Sequence, residues 1–205
     1  MGAGTEVSRA AGMIDLVFDL RGDTLPPDYP FALWAELARL VPELAKNEEV
    51  GVLPLKVSES GDHVLLAKRT KLVLRLPPQL VSAASGLGGA QLDIPPGSLT
   101  LGEMKTRELL PHPTLHAQLA AGSADEMEFM AAVQARFDEL GISANTICGI
   151  RRTLSDGRQS ISGYSLVVHD LKPEASLLLQ SAGMGEGRRY GCGIFMPYKV
   201  ISDLE

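Results

Sequence analysis

The residues best suited to chemistry lie near the end of the chain. From Gln180 to Lys199 it reads Gln-Ser-Ala-Gly-Met-Gly-Glu-Gly-Arg-Arg-Tyr-Gly-Cys-Gly-Ile-Phe-Met-Pro-Tyr-Lys, with Gly183, Gly185, Gly187, Gly191 and Gly193 interleaved with Arg188, Arg189 and Tyr190. Glycine admits positive φ and lets backbone amides come close to a ligand. Successive N–H groups in such a loop can form an anion-binding nest, and arginines beside it add charge-assisted hydrogen bonds to phosphate. A flexible hairpin with solvated arginines is the plainer alternative; the density of glycine and arginine favours anion binding. Dinucleotide binding fits poorly. Arg188 stands where the third glycine of that fingerprint belongs, a strand rather than a helix follows, and too little chain remains for the acidic residue about 20 positions on. No Gly-Lys-Ser/Thr follows for a P-loop.

Two more basic groups precede it. Arg151, Arg152 and Arg158 flank the turn Ser155-Asp156-Gly157, and a two-stranded ribbon carrying arginines can contact a nucleic-acid backbone. A solvated hairpin tip explains them as well. Lys68, Arg69, Lys71 and Arg75 fall on strands of the first half. There Lys71 and Arg75 share one sheet face, while Leu72, Leu74 and Leu76 take the other. His112 and His116 have the spacing of a zinc helix, but Pro111 and Pro113 oppose a helix and displace the glutamate base, so no metal site is expected. His63, beside a turn, and His169, at a strand end, read as surface residues. Cys148 and Cys192 are too few for a disulfide framework or a four-thiolate site.

The elements that must position these groups follow from periodicity. Ile14, Leu16, Phe18 and Leu20 alternate with Asp15, Asp19 and Arg21 as a half-buried strand. Pro26, Pro27 and Pro30 stiffen a loop before a helix over 31–44, dented by Pro42. Residues 51–57 and 63–68 read as a hairpin, 71–76 as a strand, 77–85 as a proline-opened short helix and 91–94 as a closing strand. The order then repeats. Residues 98–110 are strand-rich, 123–140 form the clearest helix with Ser123 and Glu126 as a capping box, and 145–154 and 160–168 pair around a turn. A short helix over 173–180 and a strand over 194–201 complete the series. Two successive βαββαβ units give an α+β fold of two tandem ferredoxin-like (RRM-like) units. The expected division is a leader over 1–12, one unit over 13–96 and a second over 97–205 that carries the glycine loop at 183–193.

Composition supports a folded core. The 205 residues are 45% hydrophobic and 21% charged, with a mean hydropathy of +0.08. Disorder across most of the chain is excluded. Aromatics are only 5%, so Leu, Val, Ile and Ala must fill the interior. No apolar run approaches the ~20 residues needed to cross a bilayer, and the start lacks a signal-peptide pattern, so a soluble cytoplasmic protein is expected. The net charge of −6 argues against indiscriminate nucleic-acid binding. From Ile142 to Val200, however, seven Lys or Arg stand against four Asp or Glu, and a local basic face can hold an anion on an acidic protein.

At Gly183 to Gly193 the pattern becomes specific. Gly-Met-Gly, five residues, Gly-Cys-Gly and Ile194-Phe195 resemble the C-terminal glycine-rich loop of the RAMP superfamily. Its place before the last strand of a second ferredoxin-like unit resembles the CRISPR-associated family-six repeat-processing endoribonucleases. The stretch from Leu66 to Pro77 and Pro197-Tyr198-Lys199-Val200-Ile201 are similar to the subgroup first described from myxobacteria. The likeness runs from about Met13 to the end of the chain.

This resemblance implies an enzyme that binds the hairpin of a CRISPR repeat transcript and cuts at the 3′ base of the stem. It uses no metal or cofactor, and the ribose 2′-OH attacks the adjacent phosphate. The product is often kept in an interference complex, so other effector subunits are expected partners, with no membrane and no direct DNA contact. The chain departs from the family's pattern in having no histidine from Pro26 to Pro54; Tyr29 and Tyr198 stand where histidines are expected. Tyr29, helped by Lys56 or His63, is therefore the expected catalyst. Arg69, Lys71, Arg151, Arg152, Arg158, Arg188, Arg189, Lys199 and the loop glycines are the expected RNA contacts. A non-catalytic subunit capping the guide's 3′ hairpin and an anion- or nucleotide-binding enzyme without an RNA partner remain as alternatives.

Overall fold

The computed structural model describes residues 12–198; the expected leader, Gly12 apart, and Lys199 lie outside that range. The first half of the chain runs β1 (Ile14–Arg21), β2 (Thr24–Leu25), α1 (Tyr29–Leu40), α2 (Pro42–Ala45), β3 (Gly51–Val52), β4 (Val57–Ser60), β5 (His63–Leu66), β6 (Lys71–Leu76), α3 (Val81–Ser85), β7 (Gln91–Ile94) and β8 (Gly97–Glu108). The second half runs β9 (Leu115–Ala121), α4 (Glu126–Leu140), β10 (Asn145–Ser155), β11 (Ser160–His169), α5 (Pro173–Ala182) and β12 (Met196–Pro197). Every neighbouring pair of strands is antiparallel.

Two sheets have the same topology. The first is ordered β3-β6-β1-β8-β7 and the second β10-β11-β9-β12. In each, the first and third strands of a βαββαβ unit lie side by side, flanked by the second and fourth. The tandem ferredoxin-like expectation holds. Its division does not: the strand expected to open the second unit at 97 is β8, which pairs with β1 and β7 and closes the first sheet. The second sheet begins only at β9, so the change of unit falls at 109–114. The expected hairpin over 51–68 also divides. Gly51 and Val52 pair with β6, whereas β4 and β5 join β2 in a small third sheet. Pro54 removes a ladder donor where that divergence begins.

Each ferredoxin-like sheet buries one face. Leu16, Phe18, Leu72, Leu74 and Leu76 pack with Leu33, Trp34 and Leu37 of α1 in the first core. In the second, Leu115, Ala117, Leu166 and Val168 meet Phe129, Val133 and Phe137 of α4. The cap of α4 is Asp125 rather than Ser123: its carboxylate accepts from the Glu128 N–H at 2.9 Å, and the Ser123 hydroxyl donates to the Glu128 carboxylate. Helix α1 starts at Tyr29 and stops before Pro42, whose ring cannot continue the ladder. Among the described residues no helix is long and apolar enough to cross a membrane.

Candidate RNA-binding groove and reaction site

The other face of each sheet is open, and the two open faces meet. Because Leu72, Leu74 and Leu76 point to the core, Lys71, Val73 and Arg75 point away from it, next to Asp15 and Val17 of β1 and Lys105 and Arg107 of β8. In the second sheet, buried Leu115 and Ala117 send His116 and Gln118 the other way. A groove of about 520 Å³ runs between these faces. Among the described residues its lining includes Lys56, Arg69, Lys71, Arg75 and Arg107, against two carboxylates, Asp15 and Glu108. On a chain of net charge −6 that is a strongly basic concavity, and low-dielectric walls concentrate its field.

The floor is built around Arg75. Its Nε and Nη2 donate to the Asp15 carboxylate at 2.8 and 3.1 Å, and Nη1 donates to the carbonyls of Phe195 and Gln180 at 2.8 and 3.3 Å. Arg75 and Asp15 are each 1% exposed. The face that Arg75 shares with Lys71 is therefore covered at Arg75 by the second unit, and one guanidinium ties β1 to both ends of the glycine-rich segment. Arg107 donates to the same Asp15 carboxylate at 2.9 Å and stays half exposed. The wall at 109–114 is pinned to α5: the His112 N–H donates to Ser176 Oγ, and Gln180 Nε2 donates to the Leu110 carbonyl. Both His112 and His116 thereby face the groove.

The expected site residues divide. Lys56, Arg69 and Lys71 line the groove, with Lys71 also paired to Asp19. Arg152, opposite Gly163, lies on the open face, close enough for its charge to act on His116. Arg151, opposite the core residue Tyr164, lies on the helix side, and Arg158 is at the exposed hairpin tip. Tyr29 is a correction. It is 8% exposed, its phenolic oxygen accepts the Leu55 N–H at 3.1 Å, and burial raises its pKa against that bond. Such a side chain secures the loop after β3 and is not among the residues that line the groove. His63 sits beside the β4–β5 turn against Asp62 at 3.0 Å, outside the groove lining.

The glycine loop is corrected too. Amides of Gly183, Met184, Tyr190, Gly191, Cys192 and Gly193 all donate to backbone carbonyls, so these six are not free to hold an anion. Gly193, at φ +65°, packs so tightly that a Cβ there would sit 1.8 Å from the Met184 carbonyl oxygen. The Arg188 guanidinium turns inward, where Nη1 donates to the Ser181 and Ala182 carbonyls at the end of α5. Burial, then the Arg75 charge, lower its pKa to about 10. Arg189 lies over the Trp34 ring at 5.2 Å, and Tyr190 stacks on Phe31 at 4.7 Å. The loop joins the two units: Arg189 and Tyr190 pack on α1, while Arg188 bonds the end of α5 through Nη1 alone.

Sequence reasoning missed Arg107 and Gln118, and weighed His112 and His116 only as metal ligands. The alternation Leu115-His116-Ala117-Gln118-Leu119 carried the signal: it is a strand with two polar side chains on one face. Among the described residues no three His, Cys, Asp or Glu side chains are grouped to hold a metal ion.

Comparison with known proteins agrees with this geometry. The family model described as Cas6 Crispr matches residues 14–200. The chain is 33% identical over 186 residues to the CRISPR-associated endonuclease Cas6 of Myxococcus xanthus, covering 90% of this chain and 81% of that protein. A Cas6-related protein from Pyrococcus furiosus has the same fold, with a TM-score of 0.64 at 10% identity over 94% of this chain and 100% of that one. So does the CRISPR endoribonuclease Cse3 bound to a 19-nucleotide RNA, with a TM-score of 0.52 at 14% identity over 90% and 98%.

Proposed function

The chain belongs to the Cas6 family of CRISPR-associated endonucleases, and from that membership we propose that it cuts CRISPR repeat RNA in the groove between its two open sheet faces, without a metal ion. The observation that carries this reading is the groove itself: Lys56, Arg69, Lys71 and Arg107 line it above the buried Arg75–Asp15 pair, facing His116 and Gln118 of the second sheet, in an otherwise acidic protein. Lys56, Arg69, Lys71 and Arg107 meet the phosphates around the cut, and Arg152 and Arg158 meet the stem along the β10–β11 ribbon. Backbone charge supplies affinity, and the fixed floor around Arg75 supplies register.

The chemistry follows from what the groove can hold. The 2′-OH upstream of the scissile phosphate attacks phosphorus, the P–O5′ bond breaks, and the products are a 2′,3′-cyclic phosphate and a 5′-OH. In-line positioning and cations aimed at the developing phosphorane charge lower the barrier. DNA lacks the nucleophile and is not a substrate. The stem's phosphate contacts survive the cut, so the product hairpin stays bound and carries the protein into an effector complex with other CRISPR subunits, in the cytoplasm.

A labelled repeat hairpin incubated in EDTA tests this reading. One cut, abolished by a single 2′-deoxy substitution at that position, is the expected result. RNA that shifts on a native gel but is never cut would instead make the protein a binding subunit.

A further inference from the structure

Cleavage by a 2′-OH needs a group that accepts a proton near neutral pH, and imidazole is the side chain whose ordinary pKa lies there. The chain has four histidines, and the structure sorts them. His63 pairs with Asp62 at a hairpin turn and His169 with Asp170 at the end of β11, both away from the groove. His112 and His116 line it. Resting on the reading above, we propose that His116 is the general base of the cleavage, taking the 2′-OH proton of the nucleotide before the scissile phosphate.

The placement of His116 suits that task. It projects from the middle of a sheet, between Leu115 and Ala117, both fully buried, so its backbone is fixed. The Tyr198 ring packs against it at 5.6 Å and 48°. It pairs in register with Val167 on one side and Met196 on the other, neither of them ionisable. Among the described residues, the charged groups that share its groove are Arg152 from β10, Arg107 and Glu108 from β8, Asp15 from β1, Lys56, Arg69, Lys71 and Arg75 from the rest of the first unit, and His112 from its own segment. Among the described residues no carboxylate is within ion-pair distance of the ring, in contrast to His63 and His169. Partial burial, and then the charge on Arg152, hold its pKa below the usual imidazole value. The ring is thus neutral, and able to accept a proton, at pH 7.

The step balances without a co-reactant. The O2′–H bond breaks and its proton passes to a ring nitrogen of His116. The O2′–P bond forms as the P–O5′ bond breaks, O5′ takes a proton from solvent, and the imidazolium returns its own to solvent.

Single-turnover cleavage of the repeat hairpin in EDTA across pH 5–9 tests this, alongside native-gel binding of the 2′-deoxy hairpin. The wild type, His116→Gln and, as a control outside the groove, His169→Gln are compared. The expected result is that His116→Gln binds RNA as the wild type does but cuts about 100-fold more slowly or worse. The wild-type rate should rise with pH and level off below the ordinary imidazole pKa, an inflection the variant lacks. Circular dichroism confirms folding, and His116→Asn repeats the comparison if the glutamine variant is not folded. A variant that cuts at the wild-type rate with the same pH profile overturns the role of His116 alone. A wild-type protein that binds but never cuts overturns the nuclease reading and this role with it.

Discussion

Replacing Arg75 with methionine should weaken the protein more than any other single change in the groove. Methionine keeps most of the side-chain volume and removes every donor. Asp15, whose side chain is 2% exposed, would be left with Arg107 as its remaining ion-pair partner, and the carbonyls of Gln180 and Phe195 would lose theirs. Breaking a buried pair from one side costs about 3–5 kcal/mol, because the surviving charge stays desolvated. Each orphaned carbonyl adds about 1–3 kcal/mol unless water reaches it. The half-exposed Arg107 offsets part of this, which gives a working value of about 4 kcal/mol. At about 2–4 °C per kcal/mol for a chain of this size, the melting temperature should fall by roughly 10 °C. Urea unfolding followed by the fluorescence of Trp34, the single tryptophan, measures it. The double variant Asp15→Leu/Arg75→Met should recover at least about 1.5 kcal/mol relative to the sum of the single changes, since removing both charges leaves neither stranded. Additive single changes, or an Arg75→Met protein within about 1 kcal/mol of the wild type, would refute the view that this pair anchors the groove floor.

Other consequences are as specific. Gly193→Ala and Gly61→Ala share the same backbone region, at φ +65° and +67°, but a Cβ at 61 meets nothing within 4 Å while one at 193 meets the Met184 carbonyl oxygen. Gly61→Ala should cost about 1–2 kcal/mol and Gly193→Ala several times that, by the same urea titration. Cys192 is 1% exposed, and burial drives its pKa to about 12, so at pH 8 only about one molecule in ten thousand carries the thiolate. In a thiol-reagent titration the half-buried Cys148 should react first and Cys192 only on unfolding; rapid labelling of both would contradict the packing of the glycine loop. Arg69→Gln and Lys71→Gln should each lower the slope of log affinity against log salt by about 1. Arg189→Gln should leave that slope unchanged and remove about 0.5–1 kcal/mol of stability through the lost contact with Trp34.

Much of the fold was legible because it rests on periodicity. The alternation in 14–20 and 71–76 identified the residues that face the helices, and the helix over 123–140 was placed, although its cap is Asp125 and not Ser123 and the second unit buries Asp15 and Arg75 on the opposite face. The boundary between units was not legible. β8 and β9 are both strands, and which sheet each joins depends on pairing partners far along the chain. The glycine loop was legible as a motif, but its packing against protein was not. Glycine is needed wherever backbone approaches anything closely, and here it approaches protein: Gly193 against Met184, Gly191 against Val52 and Pro54. Arg188 and Arg189 look the same in sequence whether they meet phosphate or end up under α5 and over Trp34. Tyr29 failed for the same reason, since a position after Asp28 says nothing about a partner at Leu55. His116 could have been found: it alternates with buried residues in a strand, and the two prolines that argued against a zinc helix also argued for extended backbone there.

The most direct test is to find where the cleavage-site nucleotide lies. A repeat hairpin with 2′-deoxyribose at the cut, to hold it intact, and a photoreactive thiouridine beside the scissile phosphate can be cross-linked to the protein and mapped by mass spectrometry. Cross-links to residues 53–71 and 105–118, the two walls of the groove, are the expected result. Cross-links confined to the face carrying α1 and α3, or to the exposed end of the β4–β5 hairpin, would place the chemistry elsewhere and contradict it.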